Sequence, residues 1–234
     1  MRWLKSLIII VLLSAFSVAR GQNDNRQYDM ILEADSILSR CVPSYDMYVA
    51  AYQYLISGYS ELGANMVVDY LARIPYLEYL EADAEQKNAL IKIAESYERV
   101  KIGSQAPEIQ SVTVYDKRFD LYDIDKKYTL ILFWSYSCPH CRNMMNELGE
   151  LASRHDDIAI VTVNVSGDFK QVKKLIKMSG LKKSYNICDG KGWDSKIVDD
   201  YAVDMTPSLF LLDDDKVIIA KPFDLEEVIL SIEL

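Results

Sequence analysis

The chain has 234 residues, enough for one large domain or two small ones. Half of them are apolar and 26% are charged, which is ordinary globular composition and excludes wholesale disorder. Asp and Glu (35) outnumber Lys and Arg (26), giving a formal net charge of −9 with no basic tract, so the electrostatic footprint of a nucleic-acid binder is missing.

At the N-terminus, Arg2 and Lys5 precede an apolar stretch from Leu7 to Val18, followed by the small residues Ala19 and Gly21. This pattern predicts a signal peptide over residues 1–21. The alternative is an uncleaved anchor, but the stretch is shorter than the roughly 20 apolar residues a bilayer requires. The first cysteine is Cys41, so the cleaved chain offers no site for an N-terminal lipid. Export without stable membrane insertion would place it where disulfides persist.

From Tyr28 the apolar positions recur at helical spacing. Ile31, Ala34, Ile37 and Leu38 share a face until Val42-Pro43, and Ser44 is a candidate N-cap for a second helix. Met47, Ala51, Tyr54 and Leu55 mark the stripe of that second helix, which is expected to end near Gly58. A third helix follows Gly63 and stops at Pro75, and a fourth starts near Asp83. Residues 22–101 are expected to form a helical domain. Ten of the sixteen tyrosines fall between Tyr28 and Tyr97. They read as a core with hydroxyls at its rim, or alternatively as a binding surface.

Lys101 to Pro107 has no periodicity and reads as a linker. Beyond it Val112, Val114 and Tyr115 suggest a strand, with a turn at Asp116 to Arg118. Thr129–Trp134 and Ile158–Val165 have the two-sided apolarity of buried strands. Helices are expected from Pro139 to Arg154, Asp168 to Ser179, Asp194 to Tyr201 and Asp224 to Leu234, with a hairpin formed by Ser208–Leu212 and Lys216–Ala220. Strands alternating with helices predict an α/β domain over residues 102–234, a sheet flanked by helices.

Between the first buried strand and its helix lies Cys138-Pro139-His140-Cys141. A cysteine at a helix N-cap points its sulfur at unpaired N–H groups and the positive end of the helix dipole, which favour a thiolate. Pro139 suits the first helical position. Cys141, one turn on, is placed to resolve a mixed disulfide, so Cys138 is the expected attacking thiol. Zinc would need a second ligand pair, and only His140 and His155 exist. Haem attachment needs His directly after the second Cys, where Arg142 stands. A purely structural disulfide would gain little from so short a loop. His155 reads as a surface residue at the helix C-terminus, and Asp213–Asp215 as a solvated turn.

The segment from Phe133 to Cys141 resembles a thioredoxin-fold active site, and Thr206-Pro207 matches that superfamily's cis-proline position. Ala106-Pro107, the hairpin before Thr129, and Ile158–Val165 with its following helix resemble the TlpA/ResA branch of exported thiol-disulfide oxidoreductases. The likeness covers residues 103–234, and the helical region resembles N-terminal domains of such proteins in Bacteroidetes-type bacteria. It implies a thioredoxin-like fold and disulfide exchange with protein substrates docked across Thr206, Pro207 and Trp134. It also implies a redox partner protein, a periplasmic location, and no cofactor or metal.

His140 is expected to favour the Cys138 thiolate by charge and hydrogen bonding. Its Pro-His dipeptide is shared with DsbA-type oxidases, which argues for a potential above the roughly −270 mV of thioredoxin. Thioredoxins carry a buried Asp where Leu132 stands and a kinking proline where Asn146 stands. Two other functions remain open from the sequence. One is a peroxiredoxin-type thiol peroxidase, although Ser135 replaces the Thr expected three residues before the reactive Cys. The other is a non-catalytic binding module of the envelope. Cys41 and Cys188 either pair or remain separate buried thiols.

Overall fold

A computed structural model describes residues 24–232. The predicted signal peptide lies outside the described residues. Among those described, no helix is long and apolar enough to cross a membrane.

Four helices come first: α1 (Asp24–Cys41), α2 (Tyr45–Glu61), α3 (Asn65–Leu71) and α4 (Ala84–Arg99). Ser44 caps α2 by accepting from the Met47 N–H. Asp83 and Gln86 form a reciprocal capping box on α4. The helices close over Ala34, Leu38, Tyr48, Tyr52, Leu55 and Leu90. Of the expected stripe of α2, Ala51 and Leu55 are buried. Met47 and Tyr54 are exposed, whereas Tyr48, Tyr52, Ile56 and Tyr59 are buried. Helix α2 is apolar around much of its circumference and packs against α1, α3 and α4. Packing on several sides, rather than its local pattern, therefore sets which face is buried.

The second part starts with a small antiparallel pair, β1 (Gln110–Val112) and β2 (Arg118–Asp120). Strand β1 lies earlier than expected: Val112 belongs to it, but Val114 and Tyr115 fall in the turn. Beyond the strand Thr113 makes only an isolated bridge to Ile187, and Asp116 turns the chain at φ 61°. The main sheet contains β3 (Tyr128–Trp134), β4 (Ile158–Asn164), β5 (Tyr185–Ile187), β6 (Ser208–Leu212) and β7 (Ile218–Ala220), in the order β5-β4-β3-β6-β7. Strand β3 pairs in parallel with β4 and antiparallel with β6. The connections carry α5 (Pro139–Arg154), α6 (Phe169–Met178) and α7 (Lys196–Asp200), and α8 (Leu225–Ile232) follows the sheet.

Alternation along β3 divides its side chains between two cores. Leu130, Leu132 and Trp134 face α5, α6 and α8. Ile131 and Phe133 face Tyr201, Phe210 and the β1–β2 region. Each large apolar side chain so buried contributes about 1.5–3 kcal/mol relative to exposure, so this central strand is the natural rigid base for a site at its end.

Candidate active site

The register explains why distant segments meet. The C-terminal end of β3 places Trp134 beside Asn164 of β4. On the other side β6 runs antiparallel, so its first residue, Ser208, lies opposite Phe133. The chain leaving β3 into Cys138 and the chain entering β6 through Thr206-Pro207 therefore share one sheet end. The Thr206–Pro207 bond is cis.

Cys138 is the N-cap of α5 in extended conformation, with Pro139 at the start of the helix. Its Sγ accepts from the Cys141 N–H at 3.2 Å and donates to the Thr206 carbonyl at 3.5 Å. Both Cys138 and Cys141 are free thiols in this structure. Partial burial opposes ionisation of Cys138. Hydrogen bonds from the Cys141 thiol and N–H, the Thr206 side chain and the His140 N–H outweigh it, so its pKa falls below the ordinary thiol value. Cys141 is fully buried, and burial together with its bond to Cys138 pushes its pKa up to about 11. The two thiols are thus pulled apart, one toward thiolate and one toward protonated thiol, as attack and resolution require.

Two expectations need correction. Trp134 does not belong to a docking surface, because it is fully buried in the core that holds Cys141 and Leu132. It shares the inward face of β3 with Leu130 and Leu132, and sequence proximity to Cys138 does not alter that alternation. The His140 imidazole is exposed, and the group that bonds Cys138 is its backbone N–H. Cys41 and Cys188 are free and buried in separate cores, one helical and one against the sheet. Burial raises the pKa of each.

Sequence reasoning missed the support beneath the site. Asn164 is buried at the end of β4, and its Nδ2 donates to the Trp134 carbonyl at 3.3 Å. Its Oδ1 accepts from the Ser166 N–H at 3.0 Å, the Ser166 hydroxyl at 2.9 Å and the Gly167 N–H at 3.2 Å. Ser166 Oγ in turn accepts from the Tyr136 N–H at 3.1 Å, which ties down the loop that carries Cys138. The available signal was a lone amide closing an apolar strand, a polar group that must find partners when buried. A cleft of about 700 Å³ opens beside Pro207, between Ser60 and Glu61 of α2 and Met205, Lys221 and Phe223. Among the described residues no group of three or more His, Cys, Asp or Glu is placed to hold a metal ion.

The fold is thioredoxin-like, with the Cys138 and Cys141 thiols at the end of its central strand. The chain belongs to the AhpC/TSA family, whose match covers residues 102–221. It is similar to the thiol-disulfide oxidoreductase ResA of Bacillus cereus, at 27% identity over 126 residues, 53% of this chain and 70% of the relative. It is also similar to the thioredoxin-like protein YneN of Bacillus subtilis, at 28% over 125 residues, 51% of this chain and 69% of the relative. The C-terminal domain of a proposed thiol-disulfide oxidoreductase from Bacteroides thetaiotaomicron matches with TM-score 0.53 and 25% identity, over 58% of this chain and 95% of that one. A thioredoxin-like protein from Bacteroides caccae matches with TM-score 0.62 at 15% identity, over 86% of this chain and 75% of that one, a likeness of fold alone. The protein is an enzyme of the thiol-disulfide oxidoreductase class, in the TlpA/ResA-like branch.

Proposed function

We propose that the protein is exported and exchanges disulfides with extracytoplasmic protein substrates through Cys138 and Cys141. The observation that carries this reading is the split environment of the two thiols: Cys138 capped by N–H groups and touching Thr206, Cys141 buried one turn below it. The Cys138 thiolate attacks one sulfur of a substrate disulfide, forming a mixed disulfide and expelling the other substrate sulfur as thiolate. Cys141 then loses its proton, attacks Cys138 Sγ and releases the second substrate thiolate. Two electrons have passed to the substrate, and the reverse sequence oxidises a substrate dithiol. A second dithiol protein is required to reset the pair.

In this reading Thr206 and Pro207 form the ledge on which an extended substrate segment pairs, Pro139 starts the helix, and His140 contributes its N–H. The cleavable signal occupies residues 1–21, a helical domain residues 22–101 and the thioredoxin-like domain residues 102–234. The peroxidase alternative finds less support, because the Ser135 hydroxyl bonds Ser137 Oγ at 2.9 Å rather than Cys138.

The test is redox titration of the protein with and without substitutions at the pair. A two-electron transition is expected above the roughly −270 mV of thioredoxin, because stabilising the thiolate favours the dithiol form. Cys138→Ser should abolish exchange with a disulfide-bonded substrate, and Cys141→Ser should trap a mixed disulfide at Cys138. Absence of any two-electron transition would refute the reading.

A further inference from the structure

The helical part touches the sheet part where the chemistry is prepared. Residues 201–205 lead from α7 into the cis-proline. Tyr201 anchors the start of this segment to the sheet part. It is fully buried, donates to the Pro107 carbonyl at 2.7 Å and packs edge-on to Phe210 with ring centres 5.1 Å apart. The segment ends at Thr206, whose carbonyl accepts from Cys138.

Between these two points the helical part takes hold. Tyr97, near the end of α4, donates its hydroxyl to Asp204 Oδ2 at 2.9 Å. Ala202 packs against the helical core and a sheet core at once, with φ 50°, a left-handed conformation that its side chain disfavours and that the surroundings must hold. Across the same cleft Lys221 Nζ lies over the Phe210 ring, 5.2 Å from its centre, and donates to Ser60 Oγ at 2.6 Å. Burial, followed by the charge of Asp204, keeps the Tyr97 phenol protonated well above its ordinary range, so it remains a donor at working pH.

Only one residue separates Asp204 from Thr206, and fixing the Asp204 side chain restricts the approach of Thr206 to Cys138. We propose that Tyr97 is a positioning residue for disulfide exchange: through Asp204 it holds the cis-proline loop at the separation at which Thr206 meets Cys138 and a substrate segment docks. The helical part then acts in the reaction rather than only beside it. This inference rests on the reading of Cys138 as the attacking thiol.

The experiment measures alkylation of Cys138 by iodoacetamide as a function of pH, with the modified residue located by mass spectrometry, alongside thermal melting. Tyr97→Phe is expected to slow alkylation at pH 6 about threefold, equivalent to raising the midpoint by about half a pH unit, because the Thr206 side chain, whose hydrogen bond favours the Cys138 thiolate, is no longer held against the sulfur. Asp204→Ala should reproduce that change, and the double variant should add nothing to either one. Asp204→Asn keeps an acceptor oxygen and should restore the wild-type profile. An unchanged pH profile in Tyr97→Phe, with or without a lower melting temperature, overturns the proposal. So does additivity in the double variant, or an Asp204→Asn profile matching that of Asp204→Ala. If wild-type Cys138 alkylates with the midpoint of an ordinary thiol, the attacking-thiol reading itself fails, and that result is visible before any variant is made.

Discussion

The helical and sheet parts bury their cores by different means. In the sheet part β3 sends aliphatic and aromatic side chains alternately to two faces, and its backbone groups are paired within the sheet. In the helical part fully buried tyrosines fill the centre. Their hydroxyls bond carbonyls at and beyond the end of α3: Tyr52 donates to the Leu71 carbonyl at 3.0 Å, and Tyr48 to that of Pro75. Tyr201 apart, the sheet core is sensitive mainly to shape, and the helical core also to protonation.

The largest expected effect tests the shape-sensitive half. Gly149 of α5 lies so close to α6's end that a Cβ there would stand 1.9 Å from the Ser179 carbonyl oxygen. Gly149→Ala should destabilise the sheet part by about 3 kcal/mol, measured by urea unfolding, because backbone rather than a movable side chain is in the way. A stabilisation of about 1 kcal/mol, as for an unobstructed helical Gly→Ala exchange, would show that the two helices separate readily.

The next effect should fall more heavily on the helical half, which buries Tyr48, Tyr52 and Tyr59 fully where the sheet part so buries Tyr201. Burial pushes Tyr59 up to about 12, and it raises Tyr48 and Tyr52 further. A phenol whose folded pKa lies above its unfolded value stabilises the fold fully below pH 10, and this contribution is lost as pH rises toward the folded pKa. Tyr59 alone should cost about 2 kcal/mol by pH 12, so fluorescence and circular dichroism should show the helical part melting between pH 10 and 12. Loss of the sheet part first would break the contrast. The smallest effect is Tyr52→Phe, which removes one hydroxyl and should cost about 1 kcal/mol while leaving exchange activity unchanged.

Legibility from sequence divides along the same line. Cys138, Pro139 and Cys141 were readable because a helix N-cap is a local feature, and the helix from Pro139 to Arg154 has the expected bounds. The cis-proline was accessible through family likeness rather than spacing. Trp134 was misplaced because proximity to Cys138 in sequence says nothing about which face of β3 it occupies. The buried face of α2 was half legible, through Ala51 and Leu55; Met47 and Tyr54 were misplaced because the stripe through Tyr48, Tyr52 and Tyr59 is equally helical in spacing, and tertiary neighbours choose between them. The contact between Tyr97 and Asp204 spans 107 positions, and no local signal marks it.

Cys41 and Cys188 bear on how the molecule reaches its working form. Once the two cores close, neither sulfur is accessible to another thiol, and the finished protein carries two spectators that oxidants cannot easily recruit. Before closure, all four sulfurs share one flexible chain and allow three fully paired arrangements. In oxidising surroundings maturation is therefore a race between collapse and crosslinking, and its yield is decided before the enzyme meets any substrate.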